Sequence, residues 1–223
     1  MSTIAENIQK YKASLPQEVE LCAVSKFHAI EALKEAYDAG QRVFGESRVQ
    51  ELLPKKEQLP SDIEWHFIGH LQTNKVKYIV PFISLIHSAD SIKLIREINS
   101  CAQKEGRVVN CLLQLHVAQE ETKSGFAIDE LETYLEAGEW RNLTSVCFCG
   151  VMGMASYTDD ESQIRKEFVS IRSEFDKIKQ KYFADDPKFR YCSMGMSHDY
   201  TMAVECGSNI VRVGTGIFGE RIY

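Results

Sequence analysis

Lys26 is the residue of this chain whose position most clearly allows covalent chemistry. It ends the apolar segment LCAVSK, residues 21–26, a pattern typical of a buried strand. Burial lowers the pKa of a lysine, and a neutral amine can attack an aldehyde to form a Schiff base. A surface lysine that extends from a strand end is the ordinary alternative, so this interpretation depends on what distant segments offer.

One such segment is SMGMS, residues 193–197, which could bind an anion. Met194 ends a predicted strand, Gly195 follows it, and Ser197 is placed to be the N-cap of a helix over 198–206. The first turn of a helix presents free N–H groups and partial positive charge, both of which favour a phosphate.

A second candidate anion site lies in VRVGTGIFG, residues 211–219, after the last predicted strand. Gly214 would let the backbone approach an anion closely, and Thr215 adds a hydroxyl. Phosphate sites after the last two strands recur in parallel barrels, although either turn alone would be weak evidence. Together with Lys26, the two turns predict one ligand, the phosphorylated aldehyde pyridoxal 5′-phosphate (PLP).

Three further side chains are candidates whose roles the residues alone leave open. Arg212 shares a strand face with Ile210 and Gly214, so it would face the barrel interior, where it needs an anion or another acceptor. Its partner would be either a core carboxylate or the cofactor, at the phosphate or the pyridine nitrogen. His66 either lines the pocket or is a satisfied core histidine. Lys123 either binds phosphate or is a solvated loop lysine.

The rest of the chain must position these residues, and its pattern predicts a single (β/α)8 TIM barrel of class α/β. Short apolar runs alternate with segments of helical period, and runs that are apolar on both faces are typical of parallel sheets. An open doubly wound sheet is the alternative, but it would place a glycine-rich turn after the first strand, where this chain has Ser-Lys-Phe-His. The predicted strands are 21–25, 43–45, 64–68, 84–87, 109–115, 145–151, 190–194 and 210–213.

Barrel geometry selects candidate residues independently of any ligand, because active sites lie at the carboxyl ends of the strands. Besides Lys26, Met194 and Gly214, this rule selects Glu46, His70 and His87.

Composition excludes several classes of protein. The 223 residues are 44% hydrophobic and 26% charged, as in an ordinary globular protein. The net charge of −6 comes from interspersed charges, which indicates neither a nucleic-acid nor a membrane partner. No signal peptide or membrane span is recognisable, and seven cysteines without a C-x-x-C pair predict reduced thiols and no metal site. We therefore expect one cytoplasmic domain over residues 1–223.

Seven segments, in the same order and over nearly the whole chain, resemble the YggS/PROSC family of PLP homeostasis proteins, whose fold is similar to the alanine racemase barrel domain. These segments are AVSK (23–26), FGESRVQE (44–51), WHFIGHLQTNK (65–75), TKSGF (122–126), GVMGM (150–154), SMGMSHDY (193–200) and VRVGTGIFGER (211–221). The resemblance implies that Lys26 carries PLP as a Schiff base. It also implies that Ser197, Gly214 and Thr215 hold the phosphate, with Arg212 beside the cofactor.

The same resemblance implies a role in cofactor supply. Family members bind PLP and help to balance the vitamin B6 pool without demonstrated catalysis. Lys123 matches a family lysine proposed to take part in PLP transfer, which makes apo forms of PLP-dependent enzymes the expected partners. Ser47 stands where the family usually has asparagine, so one polar contact near the cofactor ring would come from a shorter side chain.

A physical argument also favours a carrier over an enzyme. Racemisation needs an acid or base on each face of the bound cofactor, and alanine racemase draws the second group from an additional domain and a partner subunit. A monomer that ends at Tyr223 would leave one face open to water. The alternatives are a small PLP-dependent racemase or lyase, a barrel aldolase that uses Lys26 on a phosphorylated sugar, and a scaffold with a vestigial pocket.

Overall fold

The computed structural model describes residues 3–118 and 124–220, and it contains a closed barrel of eight parallel strands in sequence order. The predicted TIM barrel is therefore confirmed. The barrel closes where β8 pairs with β1, with Glu20 opposite Ile210 and Ala23 opposite Val213. The strands are β1 Glu20–Val24, β2 Val43–Glu46, β3 Glu64–Phe67, β4 Leu85–Ala89, β5 Val109–Gln114, β6 Val146–Met152, β7 Tyr191–Ser193 and β8 Ile210–Val213.

Helices surround this barrel, and local sequence signals set several of their ends. Thr3 and Glu6 form the reciprocal capping box that their spacing predicts for the first helix. Gly40, with φ of +87°, follows the C-cap of the second helix. The helices are α1 Ile4–Ser14, α2 Ile30–Asp38, α3 Val49–Gln58, α4 Val76–Ile79, α5 Ile92–Lys104, α6 Ile128–Ala137, α7 Glu161–Tyr182, α8 Tyr200–Glu205 and α9 Thr215–Phe218, with 3-10 turns at Thr73–Lys75 and Glu139–Asn142.

Two apolar layers stabilise the barrel. The larger layer lies between strands and helices and includes Phe44, Trp65 and Phe168, all buried. The smaller layer fills the barrel interior with side chains such as Leu112 and Met152. Because strand residues alternate between these layers, the same alternation decides which polar side chains face the interior.

The longest described helix, α7, confirms the amphipathic stripe that its sequence predicts. Ile164, Phe168, Ile171 and Phe175 are buried along one face, while charged residues occupy the other. Within residues 3–118 and 124–220, no helix combines the length and the apolar character needed to cross a membrane.

Candidate functional site

Lys26 lies in a tight turn at the carboxyl end of β1. The N–H of His28 donates to the carbonyl of Ser25 at 3.2 Å, so Lys26 and Phe27 are the two central residues of the turn. Phe27 has φ of +68°, in the left-handed region that few non-glycine residues adopt. The lysine, which is half-buried, is thus presented by a strained segment rather than by the regular strand.

The turns after β7 (residues 194–199) and β8 (residues 214–216), called the closing turns below, bring several hydrogen-bond donors together around one hydroxyl. The N–H groups of Gly214 and Gly216 both donate to Oγ of Ser197, each at 3.3 Å. A Cβ at Gly216 would collide with the ring and hydroxyl of Tyr11, so a larger residue there would displace that side chain. Together with the exposed Thr215, these groups supply several N–H and O–H donors at one place.

The expectation that Ser197 caps a helix was wrong. The helix α8 begins at Tyr200, and its N-cap is Asp199, whose carboxylate accepts from the N–H of Met196. The Ser197 hydroxyl turns to the β8 turn because two backbone N–H groups there need an acceptor. Ser197 therefore links two turns instead of starting a helix.

Closure of the barrel brings the turn that carries Lys26 (residues 25–28, the lysine turn) next to the turn after β8. Gly214 lies so close to β1 that a Cβ on it would be 3.4 Å from Cβ of Val24. The ring of His28 stacks on the ring of Phe218 in α9, with centroids 4.9 Å apart. A cavity of about 860 Å³ opens over the closing turns, and its lining includes Ser197, Thr215, Gly216, Tyr11 and Tyr157.

Arg212 faces the barrel interior, as its strand alternation predicts, and is buried there. Its guanidinium donates to the carbonyl of Ser193 at 2.9 Å, to the hydroxyl of Ser193 at 2.6 Å and to the carbonyl of Gly153 at 3.0 Å. Within the described part of the chain no carboxylate pairs with it, so neutral acceptors replace the ion pair considered above. Burial lowers the pKa of Arg212.

His66 does not lie with the closing turns. Its Nδ1 is 3.0 Å from Nε2 of His87, and Nδ1 of His87 is 3.0 Å from the hydroxyl of Ser193. Burial lowers the pKa of His66 to about 3, so the ring is neutral. The residue lines a separate cavity of about 210 Å³ at the amino end of the barrel, together with Glu20.

The remaining candidates lie in three different places. Ser47 lines a second cleft of about 540 Å³ with Arg48 and His70, beside the carboxyl ends of β2 and β3. Met194 is fully buried in the layer between strands and helices. Gly195, with φ of +96°, follows it, and its carbonyl accepts from the N–H of Arg212 at 3.0 Å. Lys123 lies outside the described residues.

A cluster of charged side chains lies beside Lys26. Of its members, the sequence analysis selected only Glu46. Nζ of Lys55 donates to Glu46 at 2.6 Å and to the carbonyl of Ser25 at 2.8 Å. Glu51 accepts from the N–H of Phe27 at 2.8 Å. The i, i+4 spacing of Glu51 and Lys55, on the helix that follows the strand ending in Glu46, is the signal that could have revealed it.

These observations fit a small phosphorylated ligand that carries an aldehyde. Backbone N–H groups and hydroxyls converge at the closing turns, where a glycine leaves room that a side chain would fill. Lys26 supplies an amine on the neighbouring turn after β1, and Arg212 on β8 supplies a guanidinium buried in the barrel interior.

Comparison with known proteins places the chain among others with this architecture. The family model of the alanine racemase N-terminal domain matches residues 1–222. The pyridoxal phosphate homeostasis protein of Aquifex aeolicus (strain VF5) is 40% identical over all of this chain and 97% of its own length. The protein of that name from Pasteurella multocida (strain Pm70) is 35% identical over all of this chain and 97% of its own length.

Solved structures agree with this relation. PipY of Synechococcus elongatus PCC7942, solved with PLP bound, is 35% identical, with a TM-score of 0.87 over 97% of this chain and 100% of PipY. Alanine racemase of Clostridium difficile 630 shares the fold at 16% identity, with a TM-score of 0.75 over 98% of this chain and 56% of the racemase. The chain therefore belongs to the alanine racemase N-terminal domain family and, within it, to the pyridoxal phosphate homeostasis proteins.

Proposed function

We propose that this protein binds PLP as a Schiff base on Lys26, with the phosphate at Ser197, Gly214 and Thr215. The observation that carries the proposal is the pair of N–H groups, from Gly214 and Gly216, that converge on one oxygen next to the lysine turn. A phosphate oxygen has the same need for N–H donors as the Ser197 hydroxyl oxygen that accepts from them. The PLP-bound structure of PipY supports the choice of ligand.

We propose that Arg212 lies beside the bound cofactor. Its guanidinium is fixed by Ser193 and Gly153, so its positive charge has a defined position in the interior. A guanidinium at the pyridine nitrogen disfavours protonation of that nitrogen and weakens the ring as an electron sink. This role agrees with a protein that holds the cofactor without using it for carbanion chemistry.

The protein would store PLP and pass it on, without catalytic turnover. The names of its relatives describe homeostasis. The cavity above the closing turns is lined by Tyr157, which is 85% exposed, and by the exposed Thr215, so water reaches it. Water access favours hydrolysis and exchange of a Schiff base, which suits delivery better than chemistry on a bound amino acid.

Borohydride reduction of the PLP-loaded protein tests the attachment. Mass mapping is expected to place one reduced pyridoxyl phosphate group on the peptide that contains Lys26, and the visible band of the loaded protein is expected to vanish in Lys26→Ala. Lys56→Ala is the control, because Lys56 is an exposed lysine of α3. Labelling of another lysine, or of none, would contradict the proposal.

Exchange of the α-hydrogen of amino acids in deuterated water tests the absence of turnover. The loaded protein is expected to exchange no faster than free PLP at the same concentration. Sustained exchange beyond that rate would favour the alternative function, a small PLP-dependent racemase or lyase, for which the alanine racemase fold is the motivating observation.

Transfer to a PLP-dependent apoenzyme tests the delivery role and the sequence-based role of Lys123. The loaded protein is expected to reactivate the apoenzyme, and Lys123→Ala is expected to slow this step without changing the amount of PLP on Lys26. A Lys123→Ala protein that transfers at the wild-type rate would remove this lysine from the proposal. The monomeric state and the cytoplasmic location stay predictions from the sequence.

A further inference from the structure

The residues on both sides of Lys26 are attached to one cluster of charges, in which Glu46 and Lys55 are buried and Glu51 is partly exposed. Ser25 donates its hydroxyl to Oε1 of Glu46 at 2.7 Å, and its carbonyl accepts from Nζ of Lys55 at 2.8 Å. On the other side, the N–H of Phe27 donates to Oε2 of Glu51 at 2.8 Å. The backbone is therefore fixed immediately before and immediately after the lysine.

This cluster is expensive to bury, so its presence calls for a physical reason. The side chain of Glu46 is fully buried and that of Lys55 is 7% exposed, and the two form an ion pair at 2.6 Å. Oε2 of Glu46 is buried, and no hydrogen-bond partner for it lies within residues 3–118 and 124–220. Desolvation of two charges offsets much of their attraction, so an apolar pair of similar volume would stabilise the fold about as well.

The turn itself supplies the reason. Phe27 has φ of +68°, which costs energy for a residue with a side chain, so this turn would relax if nothing held it. Glu51 binds the N–H of that strained residue, and Lys55 binds the carbonyl that closes the turn. Arg48, whose guanidinium lies 4.7 Å from the ring centroid of Phe27 and 3.7 Å from Glu51, adds a contact at the surface.

We propose that Glu46, Glu51 and Lys55 are positioning residues, which hold the Ser25–His28 turn in one conformation and so fix the backbone from which the Lys26 side chain reaches an aldehyde. This inference rests on the function proposed above, since it concerns the same lysine. A nucleophile held in one geometry reacts faster than one that samples many, because the entropic cost has already been met in folding.

Two substitutions of Glu51 separate positioning from general stability. Glu51→Gln keeps an oxygen that can accept from the N–H of Phe27, whereas Glu51→Leu removes it. Glu57→Leu is the matched control, because Glu57 is an exposed glutamate of the same helix. The first readout uses protein without PLP: the rate at which an amine-acylating reagent modifies Lys26, measured by mass spectrometry and divided by the rate at Lys56.

The second readout is the rate at which added PLP forms the borohydride-trappable adduct on Lys26. Glu51→Leu is expected to lower both rates by about tenfold, the scale of a lost alignment of the nucleophile. Glu51→Gln and Glu57→Leu are expected to stay within about threefold of wild type. Lys55→Met is expected to act like Glu51→Leu. If it does not fold, the Glu51 pair decides alone, because that side chain is partly exposed.

The possible failures are distinguishable. Equal Lys26 acylation rates in Glu51→Leu and Glu51→Gln would overturn the positioning role, whatever PLP does. If wild-type protein carries no adduct on Lys26, the proposed function fails, and with it the purpose assigned to this cluster.

Discussion

On the β1 side of the barrel mouth, charged side chains hold the turn that carries Lys26, whereas on the β7–β8 side glycines and one serine hydroxyl hold the closing turns. The lysine turn contains no glycine, although Phe27 adopts a left-handed conformation, and it relies on Glu51 and Lys55. The closing turns instead rely on Gly195 and Gly216, where a Cβ would collide with a neighbour.

This difference follows from what each side must bind. An anion is bound best by backbone N–H groups, and these become accessible only where side chains are absent. A nucleophilic side chain needs a fixed backbone beneath it, and hydrogen bonds from side chains provide that without exposing the backbone. The two sides should therefore respond differently to substitution.

The largest expected effect is the loss of Lys55. In Lys55→Met, the fully buried Glu46 loses its cation and must either stay charged without a partner or take up a proton, so the free energy of unfolding is expected to fall by about 3–5 kcal/mol. The double variant Glu46→Leu/Lys55→Met is expected to recover most of this loss, because it removes both charges. Denaturant unfolding measures each value, with Lys56→Met as the control. A Lys55→Met protein as stable as that control would mean that the Glu46–Lys55 ion pair does not stabilise the turn that carries Lys26.

On the side of the closing turns, the closely packed Gly195 can be compared with Gly106, which has open surroundings. A Cβ at Gly195 would lie 2.6 Å from Cβ of Ala203, while at Gly106 it would meet no atom within 4 Å. Both glycines have positive φ, +96° and +62°, and the value at Gly195 lies outside the left-handed region that other residues can adopt, so backbone strain and packing both add to its cost. Gly195→Ala is expected to cost about 2–3 kcal/mol more than Gly106→Ala in chemical unfolding, and to weaken phosphate binding. Equal costs would show that close packing does not make glycine necessary in this turn.

A third measurement compares two carboxylates, the fully buried Glu46, which pairs with Lys55, and the partly buried Glu20. Among the described residues, no lysine or arginine forms an ion pair with Glu20, at the amino end of the barrel, as Lys55 does with Glu46, and burial raises the pKa of the Glu20 carboxyl from 4.5 to about 7. Between these values the folded protein binds more protons than the unfolded chain, so Glu20 makes stability fall as pH rises through this window.

Glu20→Gln removes this dependence. The variant is expected to be more stable than wild type by about 1 kcal/mol near pH 8, after allowance for the partial exposure of Glu20, and equally stable near pH 4. Thermal unfolding across this pH range measures the difference, and Glu57→Gln serves as the exposed control. A variant that is less stable than wild type near pH 8 would contradict the unpaired burial of Glu20.

The smallest effect is expected at Phe27. Glycine would relieve the left-handed strain, but it would also increase the entropy of the unfolded chain and lose the contact with Arg48. Phe27→Gly is therefore expected to change the free energy of unfolding by less than about 1 kcal/mol, by denaturant titration. A loss above that range would show that the Phe27 ring, and not the charged cluster alone, holds the lysine turn.

The barrel fold and the interior position of Arg212 could be predicted from local sequence patterns. Eight apolar runs, separated by helical stripes, are compatible with few parallel architectures, and period-2 alternation correctly placed Arg212 in the interior. Lys26 and the glycines of the last turns were visible because strand ends and glycine turns are local features. The strand ends themselves were predicted to within two residues.

Which polar groups contact one another became visible only in the packed structure. Ser197 was expected to cap its own helix, yet α8 begins at Tyr200 with Asp199 as its N-cap, and the Ser197 hydroxyl accepts from two glycine N–H groups of the next turn. His66 on β3 pairs with His87 on the neighbouring strand β4, a contact between residues 21 positions apart. Lys55 reaches the turn of Lys26 from 30 residues away, measured from Ser25. Such contacts depend on side-chain reach across packed elements, a distance that sequence spacing does not encode.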